Sequence, residues 1–362
     1  MADLRLALLG CGQIVRGVHL PVFSHLRDVR VVAIAERDQS ARAWVALRVP
    51  GAAVYEDYRS LLDSAEIDAA LIALPTALHA DAAVTALRRG THVYLEKPMA
   101  STLDEADAII AAWQEGDVVG RIGFNGRFNR LFGALRDAVG RGEIGRPLVA
   151  RTTFTAPWPP GGGWQARADS SGGALFELAS HHIDLLRWIF GTEILSVETS
   201  TWPVREEDEA AVLQLELMNG VRAQILAVHG TVEENRVEVY GDAGKLEVNQ
   251  YDSLCLKRTT LRAAGGLRAA LGGLGRELLS IGYAVEKRRF PAHEPSYAHS
   301  LRAFVESVRG GGDASPDLRD GHAVQRVLSA ARESAVRRRA IEVGAASAPV
   351  PGGVAAHPRA AR

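Results

Sequence analysis

The stretch Leu4-Arg5-Leu6-Ala7-Leu8-Leu9-Gly10-Cys11-Gly12-Gln13-Ile14 decides how this chain is read. An apolar run stops at two glycines, and the spacing beyond them is helical. That is the pattern of a buried parallel strand feeding a helix through a tight turn. Gly10 permits the turn, and Gly12 lets a ligand approach backbone N–H groups that a Cβ would screen. The helix points its positive end at the same place, which suits a pyrophosphate held around Gly10, Gly12, Gln13 and Ile14. Val15 stands where the dinucleotide fingerprint has its third glycine, so the match is incomplete. Glycines in a strand–helix turn often do no more than turn the chain, and on this stretch alone both readings stand.

Outward from the turn, a helix is expected to about Leu26, disturbed at Pro21, then a strand over Arg30–Ala35 that ends at Glu36. An acid in that place accepts hydrogen bonds from the adenosine ribose hydroxyls of a dinucleotide. The bland alternative is a solvated acid opening a turn before Asp38. Arg37 follows directly and is able to meet a 2′-phosphate, so NAD is the expected cofactor with NADP admitted. Further strands are expected near Ala53-Val54 and over Ala69–Leu74, Thr91–Leu95 and Val118–Phe124. Helices are expected over Gln39–Leu47, Tyr58–Ser64 and Asp104–Trp113, with His79 one turn into the helix after Pro75-Thr76. This alternation predicts an α/β domain with a doubly wound parallel sheet and right-handed crossovers. Ligands bind such sheets at the carboxyl ends of the strands, where Gly10, Glu36, Pro75 and Lys97 fall.

Composition narrows the class. A chain of 362 residues has room for two domains with sizeable cores. With 42 basic against 43 acidic side chains, the net charge of −1 argues against a general nucleic-acid binder. Cys11 and Cys255 have neither metal-ligand spacing nor an evident partner, which points to a reducing compartment. The first residues lack a signal peptide's charged start and long apolar core, and no apolar run is long enough to span a bilayer. A cytoplasmic protein without membrane insertion is expected. Lysine is scarce, at Lys97, Lys245, Lys257 and Lys287 only, so a lysine on the ligand edge of the sheet stands out. Glu96-Lys97-Pro98 places one there, before a proline that restricts its backbone. A lysine can lose its proton when desolvated or set beside another cation, whereas arginine effectively cannot. The bland reading is a surface lysine paired with Glu96.

These residues together resemble the Gfo/Idh/MocA oxidoreductases. The resemblance is carried by Gly10-x-Gly12, the acid Glu36, Pro75-Thr76-x-x-His79 and Glu96-Lys97-Pro98, of which the last is the most specific. Gly123-Phe124-Asn125 followed by Arg127 is similar to the segment where that family leaves its nucleotide domain. The resemblance extends from about Leu4 to Glu342. It implies a Rossmann domain over residues 1–125 that binds NAD(P) with Gly10, Gly12, Gln13, Ile14, Glu36, Arg37, Pro75, Thr76, His79, Glu96, Lys97 and Asn125. It also implies an α+β substrate and oligomerisation domain over 126–344, whose last helices are able to return to the first domain.

The second half changes character accordingly. Strands are expected over Leu148–Phe154, Ser196–Trp202, Ala210–Leu217, Val221–Val228, Arg236–Tyr240 and Lys245–Val248. Met218-Asn219-Gly220 reads as a hairpin turn between two of them. Strands in succession without helices predict a mostly antiparallel sheet, covered on one face by an amphipathic helix from about Gly172 to Phe190. That helix carries Glu177-Leu178-Ala179-Ser180-His181-His182-Ile183-Asp184. Glu177 and His181, four apart, share a face that Asp184 continues. Three uses of that face compete. A metal site is one, although the chain has no other convincing ligand cluster and none is assigned. Histidines satisfying nearby backbone are another. The third is a carboxylate–imidazole pair for general base catalysis. The resemblance supplies an Asp-x-x-x-His pair at this helix, which makes His181 the catalytic histidine with Glu177 in place of the aspartate.

The function implied is hydride transfer between nicotinamide and a secondary alcohol or ketone of a sugar, cyclitol or sugar conjugate. Lys97, His181 and Glu177 would be catalytic, and Arg127, Trp164 and His182 would contact the substrate. A homodimer or homotetramer is expected. A redox-assisted glycosidase and a non-catalytic nucleotide sensor are the alternatives. Between Leu256 and Phe290 the chain has eight basic residues against two acidic, which reads as a solvated or oligomer-facing insertion. The Ala/Pro/Gly-rich end from Ala345 to Arg362 is expected to be disordered.

Overall fold

Strand β1 (Leu4–Leu9) is the axis of the first unit, with Leu6, Ala7, Leu8 and Leu9 fully buried, as a strand covered on both faces must be. The computed structural model describes residues 3–157, 173–204, 210–261 and 281–344. These divide into a unit running to Phe128 with Glu286–Gln325, and a second from Asn129 to Val285 with Arg326 onward.

In the first unit β1 is joined by β2 (Val29–Ala35), β3 (Ala53–Tyr55), β4 (Ala69–Ile72), β5 (His92–Leu95) and β6 (Gly120–Ile122). The order is β3-β2-β1-β4-β5-β6, all parallel, so the chain leaves β1 first to one side and then to the other. That reversal makes the crevice at the carboxyl ends of β1 and β4 the place for a ligand. The doubly wound sheet expected from the sequence is the one observed. The helix after the glycine turn opens as a wide π-turn, Val15–His19, before α1 (Leu20–Phe23). Four further helices follow: α2 (Gln39–Ala46), α3 (Tyr58–Ser64), α4 (His79–Arg88) and α5 (Leu103–Gln114). Helix α5 starts on a reciprocal capping box of Thr102 and Glu105. The helix Pro295–Val308 completes this unit's core, with Ala298, Leu301, Phe304 and Val305 in the same apolar cluster as Leu6, Leu8, Ile34 and Leu71. Burial of such side chains is worth roughly 1.5–3 kcal/mol each.

Among the described residues the second unit has eight strands. They are β7 (Pro147–Ala156), β8 (Ile194–Trp202), β9 (Ala210–Leu217), β10 (Arg222–His229), β11 (Glu234–Gly241), β12 (Gly244–Asn249), β13 (Lys257–Thr260) and β14 (Ile341–Glu342). Their order is β13-β12-β11-β7-β10-β9-β8-β14. Every pairing is antiparallel except that of β7 with β10, which places the sequence-distant β11 on the other side of β7. The expected hairpin at Met218–Gly220 joins β9 to β10. Helices α6 (Arg130–Gly140) and α7 (Ser180–Phe190) lie in this unit, as does the part from Arg326 onward of the helix Leu318–Arg337, and α7 ends at Gly191 in the left-handed conformation that favours glycine. Alternation along β7 turns Phe154 toward α7, where its ring stacks on His182 at 5.4 Å, and turns Val149 and Arg151 the other way. Trp164, residues 262–280 of the basic segment and the tail 345–362 lie outside the described residues.

Candidate functional site

The carboxyl ends of β1, β2, β4, β5 and β6 collect most of the residues singled out from the sequence. Gly10 has φ +88°, and a Cβ there would lie 2.5 Å from the Ala73 carbonyl oxygen, so only glycine fits between β1 and the end of β4. Among the described residues nothing comes within 4 Å of a Cβ built on Gly12, so their packing does not demand glycine there. The first intrahelical bond runs from Arg16 N–H to the Gly12 carbonyl, which leaves the amides of Gln13 and Ile14 as helix-start donors.

Glu36 is turned back onto the glycine turn. Its Oε2 accepts from Cys11 N–H at 2.6 Å and its Oε1 from Asp38 N–H at 2.8 Å. Arg42 straps the same corner, donating to the carbonyls of Glu36 at 2.7 Å and Arg37 at 2.6 Å. Asp38 caps α2 through Ala41 N–H. The Arg37 side chain is exposed. Burial, and then the Glu36 charge, push the Cys11 thiol up to about 12, which makes it an inert apolar filler.

After β4, Thr76 is wholly buried and its hydroxyl has no partner among the described residues. His79, one turn on, ties two strand ends together. Its Nδ1 is 2.9 Å from the Pro98 carbonyl and its Nε2 is 2.8 Å from the Leu74 carbonyl. Burial pushes this imidazole down, with the two carbonyls opposing. After β5, Glu96 meets His19 Nε2 at 2.7 Å, and Lys97 stands half-buried beside it. Burial alone would raise the Glu96 carboxyl; the His19 imidazole and the Lys97 ammonium outweigh it and hold the group below the usual carboxylate range. The Asn125 side-chain amide donates to Ser296 Oγ at 2.9 Å. Arg127 likewise pairs with Asp320 at 2.8 Å.

In the second unit the residues Leu175–Ala179 form another π-turn leading into α7, so Glu177 sits in a wider coil than the 3.6-residue spacing assumes. Between residues 173 and 190 only Glu177, His181 and Trp188 are not buried. Both proposed catalytic side chains are therefore on the helix's one open stripe. Asp184 is off it, 1% exposed and 4.0 Å from Arg187. The His181 ring lies 5.5 Å from that of Phe154. His182 is turned inward and wholly buried, its Nε2–H donating to Asn235 Oδ1 at 2.9 Å, while Asn235 donates to Gln250 at 2.8 Å. Burial pushes its imidazole down to about 4. The described residues hold no cluster of three or more metal-binding side chains.

His19 did not stand out in the sequence. Its signal was there, because Val15, His19 and Val22 fall at the spacing of one helical face that is otherwise apolar. A lone imidazole on such a face needs a buried partner, and Glu96 is that partner.

The residues present suit a dinucleotide: a second glycine, Gly12, that packing among the described residues does not demand, helix-start amides, an oriented acid and a buried hydroxyl with no partner among the described residues. Comparison with known proteins agrees. Residues 4–124 match the oxidoreductase family with an NAD-binding Rossmann fold, so the chain is an NAD(P)-dependent oxidoreductase. Residues 132–247 match the GFO/IDH/MocA C-terminal domain, and with both parts matched the chain belongs to the Gfo/Idh/MocA family. Among curated relatives, the myo-inositol 2-dehydrogenase of Thermotoga maritima is 25% identical over 351 residues, covering 94% of this chain and 98% of the relative. The uncharacterized oxidoreductase YrbE of Bacillus subtilis is 30% identical over 249 residues, covering 66% and 71%. Among solved structures, the WlbA dehydrogenase of Bordetella pertussis, in complex with NADH and UDP-GlcNAcA, is similar with a TM-score of 0.81 at 21% identity, covering 94% of this chain and 98% of that one.

Proposed function

We propose that this oxidoreductase oxidises a secondary alcohol of a sugar, cyclitol or sugar conjugate with NAD, or reduces the matching ketone. The observation that carries the proposal is the lysine loop: Lys97, one of four lysines, on the ligand edge of a dinucleotide sheet beside a partly buried, ionised Glu96. The inositol dehydrogenase and the WlbA dehydrogenase, by their names and ligands, support carbohydrate-like substrates.

When bound, NAD supplies the hydride acceptor. Gly10, Gly12, Gln13 and Ile14 would hold its pyrophosphate, and Glu36 its adenosine ribose, with Pro75, Thr76 and His79 shaping the same edge. Lys97 stabilises negative charge developing on the substrate oxygen. His181 takes the hydroxyl proton, which a neutral imidazole accepts near neutral pH. Glu177 orients that ring and stabilises the imidazolium that forms. Its arm is one methylene longer than an aspartate's, and it rises from a π-turn rather than a regular helix. His182 is assigned to packing α7 on the sheet, since its ring is buried against Phe154 and bonded to Asn235.

A cytoplasmic homo-oligomer is proposed as well. No described helix is long and apolar enough to cross a membrane. The sheet face turned away from α7 presents Val149 and Tyr240, register partners that are both exposed and suited to a second copy. Native mass spectrometry for retained NAD or NADP, followed by a polyol and sugar panel watched at the nicotinamide absorbance, tests the reading. Cofactor binding with no spectral change across the panel would refute it.

A further inference from the structure

One buried titratable group at the cofactor edge has no part in the chemistry above. His19 closes the π-turn after the glycine motif, is 0% exposed, and lies edge-on to Tyr94 at 6.2 Å and Tyr297 at 6.3 Å. Its Nε2 meets Glu96 Oε1 at 2.7 Å, whereas Nδ1 has no partner among the described residues, so the Nε2–H tautomer serves the bond. The other Glu96 oxygen, Oε2, accepts from the Lys97 amide at 3.3 Å. A Cβ on Gly123 would lie 2.8 Å from that same oxygen, so the bare backbone after β6 is what gives the carboxylate its place.

A carboxylate withdrawn from water needs donors, or it moves or takes a proton. Here one donor comes from the segment that begins the nucleotide motif and the other from the lysine loop. The two ends of the cofactor edge, the glycine-turn helix and the loop of Lys97, are thereby joined through one side chain.

We propose that His19 is a positioning residue: by holding the Glu96 carboxylate against the Lys97 amide, it fixes the place from which Lys97 acts. The proposal rests on the assignment of Lys97 to the reaction. The competing role is plain packing between Tyr94 and Tyr297, which an aromatic ring without a donor would also fill.

Four variants separate the two roles: His19→Phe keeps the bulk and loses the donor, and His19→Gln keeps an N–H donor. Glu96→Gln removes the charge at constant shape, and His19→Phe is also combined with Glu96→Gln. Turnover is measured with NAD and whichever panel polyol the unaltered protein oxidises, and NADH affinity by fluorescence titration. His19→Phe should lower kcat roughly 10–100-fold, the scale of a misplaced catalytic group, with NADH affinity within about threefold. His19→Gln should restore most of the loss. The double variant should be no slower than the slower single one, because both changes break the same link. Normal kcat in His19→Phe, equal damage in His19→Gln, or multiplied losses in the double variant would overturn the proposal. If His19→Phe does not fold, the Gln variants carry the test: fast Glu96→Gln overturns it, and slow Glu96→Gln with active His19→Gln supports it. Unaltered protein that oxidises no panel polyol refutes the dehydrogenase reading and this proposal with it.

Discussion

Changing Glu36 should alter cofactor choice and stability by different amounts, and the geometry separates the two effects. Both carboxylate oxygens are committed, Oε2 to the Cys11 amide at 2.6 Å and Oε1 to the Asp38 amide at 2.8 Å. The Asp38 bond is exposed, so water replaces it at little cost; Cys11 is fully buried, so its amide would be left unsatisfied. That second loss sets the stability cost of Glu36→Ala at about 1–3 kcal/mol. Glu36→Gln keeps one acceptor oxygen and sets an NH₂ against the other amide, so it should cost less. Cofactor preference responds differently. If the carboxylate accepts the adenosine ribose hydroxyls, it also repels a 2′-phosphate, and NADH should bind more tightly than NADPH. Glu36→Ala removes both the hydrogen bonds and the repulsion, and should shrink the NADH:NADPH affinity ratio by roughly one to two powers of ten. Fluorescence titration of both reduced cofactors reads the ratio, and urea denaturation reads the stability. Equal affinity for the two cofactors in the unaltered protein, or an unchanged ratio in Glu36→Ala, would refute the reasoning.

His181→Ala should lower kcat by about 10²–10⁴ with NAD affinity nearly intact, as loss of a general base does. Lys97→Ala should do at least as much harm and also change the pH–rate profile; near-normal turnover in His181→Ala alone would make the lysine the base. His182 gives a pH test of stability. Its pKa is about 4 in the folded protein against an ordinary 6.5, so as pH falls from about 6.5 toward 4 the unfolded chain takes a proton that the native state refuses. Stability is therefore lost over that window, by an amount on the order of 3 kcal/mol, and is unaffected above it. Urea midpoints across pH should fall less steeply in His182→Gln, and parallel curves would contradict the assignment. Gly10→Ala combines a backbone at φ +88° with a Cβ 2.5 Å from the Ala73 carbonyl oxygen, and should cost about 2–4 kcal/mol and weaken NADH binding. A melting temperature within experimental error of the unaltered protein's would sink that account.

The first unit was legible because its signals are local. An apolar run into Gly10 and Gly12, and strand-length apolar segments alternating with helical ones, define a doubly wound sheet almost without tertiary information. The second unit's strands show as alternation, but apart from the β9–β10 hairpin the partner of each strand does not. Only the folded chain shows that β7 runs parallel to β10, because side-chain period says nothing about strand direction. Strand β13 is silent in the sequence, since all four of its residues are exposed and leave no buried alternation to read. Helix α6 carries a readable signal: Asn129 as cap, then Leu131, Phe132, Leu135, Ala138 and Val139 on one face. The two π-turns are invisible to any 3.6-residue template, so Glu177 and His181 share the open stripe at a wider pitch than that template gives. Arg127 and Asn125 looked like ligand contacts, yet each meets a partner supplied from about 170 residues or more further on, Asp320 and Ser296. Nothing near them in the sequence announces those partners.

The central claim is hydride transfer from a carbinol carbon to bound nicotinamide. It is tested most directly with polyols or cyclitols carrying deuterium on the ring carbons, incubated with the protein and NAD. The reduced cofactor is then analysed by mass spectrometry and proton NMR. One deuterium at C4 of the nicotinamide and a matching ketone product are expected, with loss of both in Lys97→Ala. Reduced cofactor without deuterium, or no reduction with any such substrate while NAD is demonstrably bound, would contradict it.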